Sequence, residues 1–113
     1  MRYLILLRGD EAAEDELSKE ELRAIVAGHM ELARHLRDAG ALVESAGLRP
    51  SSESRVVHLD RDRPLVTDGP FAETKEQLGA FYLVECADLD EAVGWLAWVP
   101  RSPGLVAEIV PLS

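Results

Sequence analysis

The 113-residue sequence is poor in several features, and each deficit excludes a class of protein. Cys86 is the only cysteine, so no intrachain disulfide can form and we expect a reducing, cytoplasmic setting. No apolar run approaches the roughly 18 residues of a membrane-spanning helix. The apolar start at residues 2–8 is too short for a secretion signal and is expected to form a strand. No Gly-x-Gly-x-x-Gly, Walker or Gly-x-Ser-x-Gly pattern occurs, so we expect no cofactor and no serine nucleophile.

Positive charge is also scarce. Lys and Arg number 12 against 21 Asp and Glu, which gives a formal net charge of −9. Such a surface repels phosphate, so we expect no direct binding to nucleic acid and none to an anionic membrane. The acid is concentrated in residues 10–21, which we interpret as a solvated loop and helix start. This segment lacks the turn glycine of a calcium loop and no Cys/His cluster exists, so no metal site is expected.

The chain does have a regular succession of strand and helix patterns over the length of one domain, residues 1–113. Ser18 and Glu21 form a capping box that predicts the start of the first helix. The predicted elements are a strand (2–8), a helix (19–39), a strand (41–46), a hairpin (55–67), a strand (79–86), a helix (89–98) and a strand (105–112). This order predicts a ferredoxin-like α+β fold, βαβ-hairpin-βαβ.

The predicted strands are apolar on both faces. In residues 2–8, Tyr3, Ile5 and Leu7 point to one side of the sheet while Leu4 and Leu6 point to the other. Two helices cover only one face, and an exposed apolar face is a large adhesive patch. We therefore expect a homodimer in which the two open sheet faces meet.

One central segment carries a family resemblance. Residues 67–83, Thr-Asp-Gly-Pro-Phe-Ala-Glu-Thr-Lys-Glu-Gln-Leu-Gly-Ala-Phe-Tyr-Leu, resemble the signature of the YCII-related family in its Asp-Gly-Pro-Phe (DGPF) branch. Residues 88–92 and 108–112 are also similar to that branch, although Gly79-Ala80 replaces a frequent Gly-Gly. The resemblance implies a dimeric α/β-barrel built from ferredoxin-like chains. It assigns no reaction, because many members of the branch have none.

Two residues are candidates for proton transfer. The wider family includes relatives that resemble small dehalogenating or lyase-type enzymes, for which a His-Asp pair is proposed, and His29 matches the helix histidine of that pair. Its alternative role is a hydrogen-bonded core histidine. Asp68 is expected either to hold its own turn through an Asx-type bond or to act as a carboxylate at the mouth of a cleft.

Three further residues are candidates for ligand binding, each with a structural alternative. Phe71 either anchors its loop to the core or stacks on a ligand, and Lys75 either forms a surface ion pair or holds an anionic substrate. Tyr82 either is a core aromatic with one satisfied hydrogen bond or directs its hydroxyl into a cavity. Residues 73–76 are interpreted as one helical turn.

These observations leave two functions open. The first is a small-molecule binder or enzyme whose cavity lies where the two sheets face, rimmed by the loop at residues 68–71, with cofactor-free lyase- or isomerase-type chemistry. The second is a non-catalytic dimeric accessory protein. Some relatives occur beside or fused to extracytoplasmic-function sigma factors, so the resemblance implies such a protein partner, with residues 10–21 contacting a basic protein surface.

Overall fold

The computed structural model describes residues 1–113 and contains six β-strands and three α-helices. In chain order they are β1 (Arg2–Asp10), α1 (Glu11–Glu14), α2 (Lys19–Asp38), β2 (Leu42–Gly47), β3 (Arg55–His58), β4 (Leu65–Asp68), β5 (Glu76–Glu85), α3 (Leu89–Trp95) and β6 (Val106–Pro111). Short 3-10 turns cover Ser51–Glu53 and Leu96–Trp98.

Four strands form one antiparallel sheet in the order β2-β5-β1-β6, and β3 and β4 form a separate hairpin. Ile5 of β1 lies opposite Tyr82 of β5 on one side and Ile109 of β6 on the other. Helix α2 connects β1 to β2, and the shorter helix α3 connects β5 to β6. The predicted α+β class is confirmed, and the strand order is consistent with a ferredoxin-like fold with an inserted hairpin.

The boundaries of α2 agree with its capping signals. The Ser18 hydroxyl accepts a hydrogen bond from the Glu21 N–H at 3.0 Å, and the Glu21 carboxylate accepts one from the Ser18 N–H at 3.2 Å. This reciprocal pair satisfies two N–H groups that no helical carbonyl can reach. The predicted start of the helix is therefore confirmed.

Two local predictions are wrong. Residues 11–14 form the short helix α1 rather than a loop, because the Asp10 carboxylate accepts a hydrogen bond from the Ala13 N–H at 3.1 Å. Residues 73–76 form no helical turn. The Gln77 side-chain amide instead donates to the carbonyl oxygens of Ala72 and Thr74, and β5 already begins at Glu76, opposite Asp10 of the long strand β1.

The two faces of the sheet differ in what covers them. Buried side chains of β1 and β5 contact α2 and α3, and the core cluster consists of Tyr3, Ile5, Leu7, Leu32, Leu36, Ala41, Tyr82, Val84, Cys86, Ala92 and Val99. The opposite face, called the open face below, carries the charged side chains of Arg8, Glu44 and Glu108 and, beside them, the apolar side chains of Leu4, Leu6, Phe81, Leu83 and Val110. These apolar side chains are only partly buried because no helix lies over them.

Helix α2 packs closely against Pro100 at Gly28, and a substitution at Gly28 tests this contact. A Cβ at Gly28 would lie 2.8 and 2.9 Å from the Cβ and Cγ atoms of Pro100, closer than side chains approach. We expect Gly28→Ala to lower the free energy of unfolding by about 1–3 kcal/mol, because the overpacking outweighs the gain of about 1 kcal/mol in helix propensity. Denaturant unfolding measures the change.

Gly94→Ala is the matched control for this substitution. Gly94 lies in α3, and a Cβ there meets no atom within 4 Å. This variant is expected to be as stable as the parent or to gain up to about 1 kcal/mol. Equal stabilisation by both substitutions would contradict the close contact between α2 and Pro100.

Candidate functional site

An apolar opening on the helix side of the sheet lies beneath the N-terminal half of α2. Leu32 and Leu36, in the C-terminal half, are buried against the sheet, whereas Leu22, Val26 and Met30 are 42%, 58% and 70% exposed. Those three side chains line a cavity of about 420 Å³ whose other wall is formed by β2, β5 and the end of β1. Leu17, Ile25 and Leu105 add to its apolar lining.

His29 and Tyr82 form the polar centre of this cavity. The Nδ1 atom of His29 lies 2.8 Å from the Tyr82 hydroxyl, and the two rings stack with centroids 6.0 Å apart. The same hydroxyl lies 3.4 Å from the His29 carbonyl oxygen and donates to it. The Nε2 atom of His29 has no hydrogen-bond partner, and it is not sealed from solvent, since no buried polar side-chain atom lacks a partner.

Burial sets the protonation of this pair. Desolvation lowers the pKa of His29 and raises the pKa of Tyr82, so at neutral pH the pair consists of an imidazole and a phenol. A neutral imidazole has one N–H and one acceptor nitrogen. Because the single hydroxyl proton of Tyr82 is donated to the His29 carbonyl oxygen, Nδ1 carries the N–H that the Tyr82 oxygen accepts, and the lone pair of Nε2 is left without a partner. Tyr82 therefore orients a group that can exchange a proton with a bound molecule.

Glu14 is a residue of this cavity that sequence reasoning missed. It lies in α1, and its side chain lines the cavity together with His29. Burial, followed by the charges of Glu11, Asp10 and Asp15, raises its pKa. A helix of four residues is too short to show a periodicity, so the sequence contains no signal that singles Glu14 out from the other acidic residues around it.

The remaining predicted site residues lie elsewhere. Asp68 ends β4 with its side chain 90% exposed, forms no Asx-type hydrogen bond, and lies 3.6 Å from the Arg55 guanidinium. Phe71 is 86% exposed, so its interpretation as an anchor to the core is wrong. Lys75 is exposed and has no carboxylate within 4.0 Å, so the expected surface ion pair is absent. The structure brings His29 and Tyr82 together but not these three residues.

The site also lies on a different side of the sheet from the one the sequence indicated. His29 and Tyr82 are on the helix-covered face, whereas the expected hollow was at the open face. A separate groove of about 1090 Å³ does lie between the hairpin and the end of the open face. Phe71 lines that groove with Leu78 and Val106, and neither His29 nor Asp68 does.

The glycine of the Asp-Gly-Pro-Phe segment has a structural role. The Gly69 N–H donates to the Ser54 carbonyl oxygen at 2.9 Å, which ties the end of β4 to the start of β3. A Cβ at Gly69 would collide with the Ser54 side chain. This part of the segment therefore shapes the hairpin.

The lowered pKa of His29 predicts how stability depends on pH. Below its ordinary pKa of about 6.5, the unfolded chain takes up a proton that the folded chain resists, so acidification favours unfolding until the folded pKa is reached. We expect the free energy of unfolding to fall between pH 7.5 and 5.5 by more in the parent than in His29→Gln. Denaturant melts at both pH values measure this, with His58→Gln on the hairpin as the control. An equal pH dependence in the parent and His29→Gln would contradict the inferred burial.

None of the three helices combines the length and the apolar composition that spanning a bilayer requires. Comparison with known proteins matches residues 1–112 to the family model described as "YCII-related domain". A curated relative, "Uncharacterized protein R00369" of Rhizobium meliloti (strain 1021), is 40% identical over 93 residues, which are 82% of this chain and 75% of the relative. The match spans both the sheet and the hairpin, and the chain therefore belongs to the YCII-related domain family.

Proposed function

We propose that the chain binds a small, mainly apolar molecule in the cavity beneath α2 and that His29 exchanges a proton with it. The observation that carries the proposal is the free Nε2 atom of His29, in an apolar cavity, with the other ring nitrogen held by Tyr82. On residues 68–71 we also place the chain in the DGPF branch of its family.

The cavity has the features of a ligand site. Its volume of about 420 Å³ falls at the lower end of the range for small-molecule pockets, roughly 300–1,000 Å³. Its walls are mainly aliphatic, and a few polar groups converge in it: His29, Tyr82, Ser45 and Glu14. Apolar walls supply affinity, while a small number of fixed polar groups orient the ligand.

The chemistry that fits these groups is proton abstraction without a cofactor. Burial lowers the pKa of His29, so the imidazole is neutral at neutral pH and can act as a general base, provided that the proton lies within hydrogen-bond reach. Tyr82 fixes the ring and, as an uncharged phenol, can stabilise the imidazolium ring only weakly, so the proton is readily passed on. A reversible proton transfer at a carbon next to a carbonyl is one step of many lyase- and isomerase-type reactions.

Deuterium uptake tests this activity directly. We expect the parent protein to accelerate exchange at the carbon next to the carbonyl of phenylbutanone in D₂O, followed by proton NMR. His29→Gln should lose the acceleration by at least about 10²-fold, since a general base contributes about that much. Tyr82→Phe should lose less, because it removes the orienting hydroxyl and leaves the base.

The control for this experiment is within the same chain. Titration with phenylbutanone should shift the imidazole resonances of His29 and leave those of His58, on the hairpin, unchanged. Exchange at equal rates in the parent and His29→Gln would overturn the proposed proton transfer. Absence of any shift at His29 would overturn binding in this cavity.

We further propose that two copies associate through their open faces. The radius of gyration of 15.7 Å exceeds the value of about 13 Å that is typical of a domain of this length. Only 12 of the 113 residues are buried within one chain, while Leu4, Leu6, Phe81 and Leu83 remain partly exposed. A second copy would bury these apolar side chains by two-fold symmetry. The accessory role beside a sigma factor stays a prediction.

Sedimentation tests the association. Phe81→Lys places a charge at the middle of the open face, so we expect the parent to sediment as a dimer at micromolar concentration and this variant as a monomer. Val93→Lys is the matched control, because Val93 lies on α3 and is already 49% exposed. A monomeric parent, or dimers that survive Phe81→Lys, would contradict association through this face.

A further inference from the structure

We propose that the cavity beneath α2 selects a ligand that carries a cationic amine at one end of an apolar body, and that the Glu14 carboxylate pairs with that amine. The inference rests on the proposed small-molecule function and specifies its ligand class. The geometry that carries it is a hydrocarbon-lined cavity in which one carboxylate has no cationic partner.

The other groups that line the cavity leave Glu14 as its one uncompensated charge. Arg8 contributes to the wall, but its guanidinium lies on the open side of the sheet, where it donates to the Glu108 carboxylate at 2.7 Å. His29 is held neutral by burial, and Tyr82 is an uncharged phenol. Lys75, the residue first considered for an anionic substrate, does not line this cavity.

Glu14 differs from Asp10 and Glu11 in lacking a partner, and from the exposed Asp15 and Glu16 in lining the cavity. The Asp10 carboxylate accepts from the Ala13 N–H at 3.1 Å, and the Glu11 carboxylate accepts from the Ser51 N–H at 2.9 Å. No hydrogen bond or ion pair engages the Glu14 side chain, which is half-buried beside them. Its pKa is raised by this burial and by the three neighbouring carboxylates, so a bound ammonium group would relieve an unfavourable charge.

The residues around the cavity favour an organic cation over a metal ion or an anion. No three His, Cys, Asp or Glu side chains are arranged to hold a metal, whereas the aliphatic walls suit a hydrocarbon body. A carboxylate ligand would meet the like charges of Glu14, Glu11, Asp10 and Asp15. An amine on an apolar body would pair with the carboxylate through its charge and contact the aliphatic walls through its hydrocarbon part.

Three probes of matched size distinguish the contribution of the ligand's charge to the affinity from the contribution of its apolar body. Phenylbutylamine, phenylbutanol and phenylbutyrate differ only in the group at the end of the chain, and calorimetry measures the dissociation constant of each. We expect the amine to bind at least roughly ten-fold more tightly than the carboxylate at low ionic strength, with the alcohol between them. Glu14→Gln should weaken binding of the amine by roughly three- to ten-fold and leave the alcohol unchanged.

Glu16→Gln is the matched control, because it removes one charge from the same acidic segment at an exposed position that does not line the cavity. It should leave all three dissociation constants unchanged, which excludes a general effect of the net charge. Thermal melts verify that both variants are folded.

The outcomes distinguish the inference from the function on which it rests. Binding of all three probes without preference for the amine, or an equal effect of Glu14→Gln and Glu16→Gln, overturns amine selection while small-molecule binding stands. Failure of every probe to bind the parent overturns the proposed cavity function and the inference with it. Preference for the amine that is lost specifically in Glu14→Gln supports the inference.

Discussion

The packing of one end of α2 against the sheet is the constraint on which the rest of the site depends. Leu32 and Leu36 are 2% and 0% exposed, and the close approach of Gly28 to Pro100 fixes the middle of the helix. A helix is stiff, so fixing its C-terminal half also sets how far its N-terminal half stands from the sheet. Leu22 and Val26 therefore line a cavity where they would otherwise complete a core.

Tyr82 belongs both to the packed core and to the candidate site. Its ring belongs to the buried core of the sheet, and its hydroxyl holds the imidazole of His29. Side chains alternate along β5, so the register that buries Val84 also places Tyr82 beneath α2. A one-residue slip of β5 would move the phenol to the open face and leave His29 without its partner.

The sequence predicts features whose signal lies in neighbouring residues. It does not predict contacts that depend on how distant elements pack against each other. Ser18 and Glu21 predict the start of α2 because a capping box needs only four neighbouring residues. The contact between His29 and Tyr82 spans 53 positions and depends on how α2 crosses β5, which no periodicity reveals. An anchor to the core was one of two roles predicted for Phe71, but its side chain is 86% exposed after the hairpin and reaches no core residue.

The two faces of the sheet separate the proposed dimer interface from the proposed ligand site. The cavity with His29 lies on the helix side, whereas the apolar surface available to a second copy lies on the other. A dimer formed through the open face would leave the cavity accessible, because the sheet itself stands between them. The segment that carries the family resemblance contributes to both sides: Gly69 shapes the hairpin near the open face, and Tyr82 reaches the cavity. A substitution in this segment can therefore affect the proposed association, the proposed ligand site or both, according to the face on which its side chain lies.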